Sequence, residues 1–324
     1  MRTISRPEAG TVHAGPDVAR PVIEVRGLRK RFGDVEAVRG VDLEVRAGEI
    51  FAFLGPNGAG KTTTIEILAG FRRPTTGEIR VLGVDPAHAG PAWRNRVGIV
   101  LQESNPEPGL TVRQALQLYA GYYDRPMRID DVIAMVGLER QVNTSGERLS
   151  GGQRRRLDVA LALVGDPELL FLDEPTTGFD PGARRDAWDV VEGLRSSGTT
   201  VFLTTHSMEE AEHLADRVAV MAAGAIVAEG PPGSLGGRDR MRATIRFTLP
   251  PSETVAGLPD PVQSLAESRA GGVVAIRTEA PLRHVRLIAD WADARGVDLP
   301  DLEITRPTLE DVYLELTHQR KEES

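Results

Sequence analysis

Residues 55–62 have the types and the spacing expected of a phosphate-binding loop. The pattern G-x-x-x-x-G-K-[ST] is met at every fixed position by Gly55, Pro56, Asn57, Gly58, Ala59, Gly60, Lys61 and Thr62. Its glycines let backbone N–H groups point at phosphates, Lys61 brings a positive charge, and the Thr62 hydroxyl suits Mg²⁺. A glycine-rich turn with no ligand is the alternative. An apolar strand before the loop and a helix from Thr63 to Ala69 favour nucleoside triphosphate binding.

A second candidate phosphate-binding element starts at Ser150. Ser150, Gly151, Gly152 and Gln153 precede an apolar helical stretch, so Ser150 is a natural N-cap and the two glycines leave the helix terminus open to an anion. The alternative is an ordinary helix cap. Three arginines, residues 154–156, follow, and we interpret them as a solvated helix face rather than a nucleic-acid patch because no wider basic field surrounds them.

Two carboxylates end the apolar strand that starts at Glu168. Asp173 is placed to bind Mg²⁺ through its water shell, and Glu174 to polarise the water that attacks the γ-phosphate. The alternative is a strand that simply ends in solvent.

Two further polar residues lie at predicted strand ends. Gln102 follows the strand from Arg96 to Leu101 and could turn its amide oxygen toward Mg²⁺ or the attacking water, although a polar strand end is an equally good interpretation. His206 follows the strand from Thr199 to Leu203 and could hydrogen-bond the γ-phosphate. A structural histidine is the alternative, and the position beside the acids at a parallel strand tip favours function.

Phe32 is the candidate for adenine stacking. It lies one loop before the phosphate site, in the basic segment Arg29–Gly33, which we predict to be a turn. The alternative is a turn aromatic that packs on its own sheet.

Composition limits the class of protein. The chain has 324 residues, a net charge of −8 and no cysteine, which excludes disulfides and thiolate metal sites and argues against nucleic acid as a partner. No apolar run approaches the ~20 residues of a membrane span, and residues 1–20 contain no apolar core of a secretory signal. We therefore expect a soluble or peripheral protein whose membrane-spanning partner, if any, is a separate chain.

The elements that must hold these residues form an α/β protein of two domains. We predict a flexible arm over residues 1–20, an antiparallel β opening from Val22 to Val45, and a helical insertion in which Thr111 and Asp130 cap successive helices. A separate α+β domain over residues 238–324 follows the linker Pro231-Pro232-Gly233. It contains an amphipathic helix, Leu282 to Ala294, and a terminal apolar stripe that starts at Leu309.

The ordered motifs resemble the nucleotide-binding subunit of ATP-binding cassette (ABC) transporters over about Val22 to Gly230. The resemblance implies the ABC ATPase fold, a P-loop NTPase core with an antiparallel β subdomain and an α-helical subdomain at about residues 104–165, within a domain spanning 21–232. It implies that Phe32 stacks on adenine, that Gly55 to Thr63 form the Walker A loop, and that Gln102 is the Q-loop residue. It likewise makes Ser150 to Gln153 the signature, Asp173 the Walker B acid, Glu174 the catalytic base, Asp180 the D-loop residue and His206 the switch. Phe32 replaces the more usual tyrosine, and Phe179 stands where leucine is common.

The resemblance also implies a partner and a location. In the family, the signature of one subunit completes the site of the other, so two ATP molecules lie within a homodimer or heterodimer that energises separate transmembrane permease subunits at the cytoplasmic face of the cell membrane. The ending from Thr308 to Thr317 resembles ATPases of drug, lipid or polysaccharide exporters, the daunorubicin-resistance type above all; an amphipathic terminal helix without diagnostic value is the alternative. A soluble ABC ATPase of DNA repair or translation is the competing function, but the chain lacks both the long coiled coil and the repeated cassette of those classes. A non-catalytic nucleotide sensor is disfavoured by Glu174 and His206.

Overall fold

The computed structural model describes residues 21–101, 109–196, 198–268, 270–299 and 301–313. The expected N-terminal arm, Gln102 and the last residues of the terminal stripe lie outside these ranges. No helix within the ranges is long and apolar enough to cross a membrane.

Thirteen strands and nine α-helices carry the fold in the described residues. The strands are β1 Pro21–Phe32, β2 Val35–Arg46, β3 Ile50–Leu54, β4 Thr76–Val81, β5 Val97–Val100, β6 Leu169–Asp173, β7 Thr200–Thr205, β8 Arg217–Ala222, β9 Ala225–Gly230, β10 Ala243–Thr248, β11 Ala266–Ser268, β12 Val273–Thr278 and β13 Glu303–Thr305. The helices are α1 Lys61–Leu68, α2 Pro91–Arg94, α3 Val112–Ala120, α4 Ile129–Met135, α5 Gly151–Leu163, α6 Pro181–Ser196, α7 Met208–Leu214, α8 Val262–Leu265 and α9 Pro281–Arg295. Residues 309–313 are also helical.

A six-stranded sheet in the order β5-β6-β7-β3-β8-β9 forms the centre of the molecule. Every pairing in it is parallel except that of β8 with β9. Its inner strands are buried on both faces, which explains why β3 and β6 are continuous apolar runs in the sequence. The carboxyl ends of β3, β6 and β7 lie side by side, and the candidate site residues follow these ends.

The central sheet separates two apolar cores because successive side chains point to opposite faces. Ile50, Ala52 and Leu54 of β3 belong to one cluster, together with the buried faces of α3, α4 and α5. Phe51 and Phe53 belong to the other cluster, in which Phe202 lies 5.7 Å from Phe51 between ring centroids.

An antiparallel sheet in the order β2-β1-β4 covers the second core. It confirms the predicted β-rich opening, but the predicted turn over Arg29–Gly33 is wrong in extent. Arg29 to Phe32 continue β1 and pair with β2, and the reversal takes place at Gly33 and Asp34. Buried side chains such as Val25 and Leu28 hold the first part of β1 in the core, and the pairing with β2 continues beyond them through basic residues that are exposed or half-buried.

The helical insertion lies between β5 and β6 in the chain. Thr111 caps α3 as predicted, and its side chain accepts from the N–H of Gln114. The prediction that Asp130 caps the next helix is wrong, because Arg128 stands at the N-cap of α4 and Asp130 lies in its first turn. Asp130 instead accepts a hydrogen bond from Arg113 of α3 at 2.7 Å, which ties the two helices together.

The C-terminal part is an antiparallel sheet in the order β11-β12-β10-β13 with α9 packed against it. Ile288 and Trp291 of α9 are buried in this local core, so the apolar face of the amphipathic helix is covered by its own domain.

The end of the described chain returns to the central domain. Leu309 is 1% exposed and belongs to the first of the two central cores. Arg238, just after the linker, donates to the carbonyl oxygens of Pro232 and Pro307 and pairs with Glu212 of α7 at 2.7 Å. These contacts hold the second domain against the helix that follows His206.

Candidate nucleotide site

The loop between β3 and α1 is shaped by glycines that no other residue could replace without strain. Gly60 has φ = 106°, and a Cβ atom there would lie 2.5 Å from the carbonyl oxygen of Ala37. Gly60 is also the N-cap of α1 and has no side chain to accept from the first N–H groups of the helix. The loop and the helix terminus together present backbone donors to an anion.

Lys61 is folded back onto this loop and is only 4% exposed. Its ammonium group donates to the carbonyl oxygen of Gly55 at 2.8 Å and to that of Pro56 at 3.2 Å. The ammonium also lies 3.3 Å from Oε1 of Glu174. The phosphate loop is thereby joined to the end of β6.

Asp173 is the last residue of β6 and is 1% exposed. The Thr204 hydroxyl donates a short hydrogen bond to it. Burial raises the pKa of Asp173, and the neighbouring charge of Glu174 adds to the rise, while hydrogen bonds from the hydroxyls of Thr204 and Thr62 and the charge of Lys61 oppose it.

Glu174 follows at once in a left-handed backbone conformation, with φ = 46°. This conformation is rare for a residue with a side chain and costs of the order of 1 kcal/mol or more. It is held by hydrogen bonds from the Glu174 N–H to both the carbonyl and the hydroxyl oxygen of Thr204, each at 3.1 Å. The resulting backbone turn points the carboxylate toward Lys61.

The carboxylate of Glu174 has three polar partners. Oε2 accepts from the hydroxyl of Thr177 at 3.0 Å and lies 3.2 Å from Nδ1 of His206, whereas Oε1 faces Lys61. Burial alone would raise the pKa of Glu174, but the Thr177 hydroxyl, Lys61 and His206 together lower it below its usual value. Glu174 is therefore an ionised carboxylate at neutral pH.

One cavity of about 500 Å³ joins most of the predicted nucleotide-site residues. Its lining is formed by Phe32, Ala37, Asn57, Gly58, Gly60, Lys61, Thr62, Thr63 and Glu174. Phe32 is 41% exposed at its edge, and the cationic groups of Lys30 and Arg72 each lie 5.1 Å from the ring centroid. The structure thus places an accessible aromatic ring, a phosphate loop and a carboxylate around a single space.

The signature segment does not line this cavity in the described part of the chain. Ser150 caps α5, accepting from the N–H of Gln153 at 3.3 Å, and Gln153 accepts in return from the N–H of Ser150 at 3.0 Å. Asp180 stands outside the cavity as well and accepts from the N–H groups of Gly182 and Ala183, which lower its pKa. Gln102 lies outside the described residues.

Two residues that contact the segment around Asp173 and Glu174 were not predicted from the sequence. Thr204 is fully buried and bonds to Asp173 and Glu174 together, but a threonine within a buried strand has no distinguishing pattern. Arg155 was expected on a solvated face with the other two arginines of that run, and this expectation is wrong because Arg155 is only 9% exposed. Successive helical residues rotate by about 100°, so three consecutive arginines spread over about 200° of the helix surface, and here the middle one faces the packed side.

A second cavity of about 570 Å³ lies between the central domain and the helical insertion. Its lining includes four aromatic residues, Phe71, Trp93, Tyr119 and Tyr123. It shares no lining residue with the cavity at Lys61.

Comparison with known proteins agrees with this geometry. Residues 38–177 match the ABC transporter family, and residues 243–308 match the C-terminal domain of ABC transporter domain-containing protein-like sequences. The daunorubicin resistance ATP-binding protein DrrA3 of Streptomyces coeruleorubidus is 39% identical over 93% of this chain and 97% of its own. The Nod factor export ATP-binding protein I of Ralstonia nicotianae is 43% identical over 68% of this chain and 71% of its own.

Solved structures give the same result for the fold. The dimeric ATP-binding cassette MJ0796, in a post-hydrolysis state bound to ADP and Pi, has a TM-score of 0.58 at 25% identity, covering 64% of this chain and 98% of its own. These matches confirm the predicted ABC ATPase fold. The chain belongs to the ABC transporter family, as one of its ATP-hydrolysing, nucleotide-binding subunits.

Proposed function

We propose that this chain hydrolyses ATP in the cavity beside Lys61 to drive export through separate transmembrane subunits. The observation that carries the proposal is the position of Glu174, an ionised carboxylate held between Lys61 and His206 at the wall of a cavity that also contains the phosphate loop. A carboxylate so placed can accept a proton from water.

The predicted site residues in and beside this cavity have proposed parts in binding or chemistry. Phe32 stacks on the base, residues 55–63 hold the phosphates, and Lys61 neutralises the charge of the β- and γ-phosphates. When Lys61 turns to the phosphates, Glu174 loses a neighbouring positive charge that lowers its pKa, and its affinity for a proton rises. Glu174 then acts as the general base, and His206 hydrogen-bonds the γ-phosphate.

Mg²⁺ fits the residues at the end of β6. Thr62 and Asp173 bring a hydroxyl and a carboxylate together, and hard oxygen ligands are those that Mg²⁺ prefers. No group of three or more His, Cys, Asp or Glu in the described ranges could hold a metal, so the other ligands would come from phosphate oxygens and water. Bound there, the ion would neutralise phosphate charge; Gln102 remains a further proposed ligand.

Two copies of the chain are proposed to share the nucleotide sites. Ser150 to Gln153 form a helix terminus suited to phosphate, yet they stand apart from the cavity of their own chain, as does Asp180. A head-to-tail partner would bring its own copy of these residues to the open side of the cavity. The dimeric cassette with ADP and Pi supports this arrangement.

The membrane partner is proposed to dock at the aromatic cavity beside Trp93 and Tyr119. A cleft with both polar and apolar lining suits an inserted segment of another protein. This contact would place the subunit at the cytoplasmic face of the membrane. The names of the relatives, a daunorubicin resistance protein and Nod factor export proteins, favour a role in export over a soluble role in DNA repair or translation, and a drug, a lipid or a polysaccharide remains the proposed class of substrate.

ATP hydrolysis by Lys61→Ala tests the proposed site. We expect phosphate release to fall by orders of magnitude because phosphoryl transfer depends on positioning and charge neutralisation. Chelation of Mg²⁺ with EDTA should have the same effect on the unchanged chain. Arg26→Ala, which removes an exposed positive charge outside the cavity, serves as control and should hydrolyse normally. Undiminished turnover by Lys61→Ala would refute the assignment.

A further inference from the structure

Arg155 in the second turn of α5 is a buried cation with an unusual set of partners. Its guanidinium group donates to three backbone carbonyl oxygens, those of Leu101 at 2.5 Å, Asp173 at 2.7 Å and Pro175 at 3.3 Å. The planar fork of a guanidinium can reach several acceptors at once, which an ammonium group cannot do with the same geometry.

This burial is costly, which indicates that the contacts matter. Burial lowers the pKa of Arg155, although the charges of Asp158, Asp173 and Glu210 oppose the shift. A buried charge is tolerated where hydrogen bonds compensate its lost hydration. Arg155 obtains those bonds from the backbone, so it fixes the course of the chain at the three positions that it contacts.

Two of these positions flank Glu174. Asp173 immediately precedes it and Pro175 immediately follows it, while Glu174 itself has the strained left-handed conformation. The Thr204 bonds hold the N–H of Glu174 from the β7 side. Arg155 holds the carbonyl groups on either side of Glu174 from the α5 side.

The same side chain connects Glu174 to the signature segment. Ser150 caps the helix that carries Arg155, so the two residues are about one and a half turns apart on one rigid element. The third acceptor, Leu101, ends the described segment that follows β5. Arg155 therefore lies where α5, the end of β6 and the segment after β5 meet.

We infer that Arg155 is a positioning residue that fixes the backbone on both sides of Glu174 and couples it to the signature segment of the same chain. The inference rests on the proposed function, in which Glu174 is the base and the signature contacts the nucleotide of a partner copy. Arg155 acts through the backbone on either side of Glu174 rather than by contact with the nucleotide. A movement of α5, caused by a nucleotide at Ser150, reaches Glu174 through the guanidinium.

Steady-state kinetics of Arg155→Met and Arg155→Lys test the inference. Arg155→Met should lower kcat by about 10- to 100-fold, the scale of a misplacement of about 1 Å, with KM and the ATP dissociation constant changed less than about twofold. Arg155→Lys should recover part of kcat, because the ammonium keeps the charge but not the fork. Arg140→Met, which removes an exposed arginine from the same helical region, should match the unchanged chain.

The results separate a positioning role from a structural one. The inference would be overturned if Arg155→Met lost ATP affinity and thermal stability together, without a separate loss of kcat. It would also be overturned if the kcat of Arg155→Met lay within twofold of that of the control. If Arg155→Met fails to fold, a folded Arg155→Lys with an unchanged kcat overturns it instead. If the unchanged chain and Arg140→Met show no hydrolysis, the proposed function fails and the inference with it; active controls confine any failure to Arg155.

Discussion

At the scale of single residues, two adjacent carboxylates at the end of β6 have opposite environments. Burial and the neighbouring negative charge raise the pKa of Asp173, whereas Thr177, Lys61 and His206 outweigh burial at Glu174 and lower its pKa. Carboxylates whose pKa values are driven apart can take different parts in one reaction. The difference arises from their contacts, because Asp173 is buried at the end of β6 whereas Glu174, the next residue, meets Thr177, Lys61 and His206.

A third carboxylate, Glu168, lies just before β6 and gives a prediction about pH. Arg96 holds it with two bonds, at 2.5 and 2.9 Å, and these bonds lower its pKa against the opposing effect of burial. A lowered folded-state pKa stabilises the protein above the ordinary pKa of about 4.3, and this stabilisation is lost as pH falls through the folded-state value. Glu168→Gln should therefore unfold more easily at pH 7, by at most about 1 kcal/mol because the pair is partly exposed.

Urea denaturation at pH 7 and below pH 4 measures this effect. The difference between Glu168→Gln and the unchanged chain should shrink toward zero at the lower pH. Glu279→Gln is the control, since its pair with Arg242 is single and both side chains are more than 60% exposed. A destabilisation by Glu168→Gln that is equal at both pH values would contradict the role given to the ion pair.

At the scale of elements, the helices α3 and α5 begin with the same capping motif, but the two caps have different proposed roles. Thr111 with Gln114 and Ser150 with Gln153 are both capping boxes, in which side chain and backbone bond reciprocally. The cap of α3 only starts a helix, whereas the cap of α5 is also the proposed contact to a partner's nucleotide.

Ser150→Ala and Thr111→Ala form a matched pair for separating these roles. Each should lose about 1 kcal/mol of stability, the usual cost of an N-cap. Only Ser150→Ala should also lower the rate of ATP hydrolysis, because only its hydroxyl is proposed to meet a phosphate. The check is unfolding and phosphate release on both variants, and equal hydrolysis by the two would count against the shared site.

The elements also show what sequence could predict. β3, α1 and β6 are predicted well because apolar runs, the phosphate loop and the following acids agree with one another. The features that the sequence did not predict depend on contacts between segments that are distant in sequence. The basic residues before Phe32 extend β1 because β2 pairs with them, Arg128 replaces Asp130 at the start of α4, and Arg155 is buried by contacts with strand ends distant in sequence. The motifs predicted that Phe32, Lys61 and Glu174 lie around one site, whereas the hydrogen bonds of Thr204 to Asp173 and Glu174 could be seen only in the folded structure.

At the scale of the whole molecule, the C-terminal part has its own core and is also tied to the central domain. Trp291 and Ile288 fill the local core, but Leu309 is buried in the central core that contains Leu214 and Leu235. The division of the chain into two domains at the linker therefore remains a proposal. Removal of all residues beyond 237 would also remove Leu309 from the core of the central domain.

Leu309→Ala tests whether this tail stabilises the central domain. We expect a loss of about 2–5 kcal/mol, the cost of truncating a buried leucine, seen as a lower midpoint in urea. Leu282→Ala is the matched control, because Leu282 is 81% exposed at the start of α9. Equal midpoints for the two variants would show that the tail contributes nothing to the stability of the fold.

The central claim is that Glu174 is the base of an ATP site completed by a second copy of the chain, and the mass of Glu174→Gln in solution tests it most directly. The amide preserves the shape of the side chain and cannot accept the proton, so ATP should bind and persist. Light scattering should then give the mass of a dimer with ATP and Mg²⁺ and the mass of a monomer with ADP. A variant that binds ATP but remains monomeric, or one that hydrolyses ATP as fast as the unchanged chain, would contradict the account.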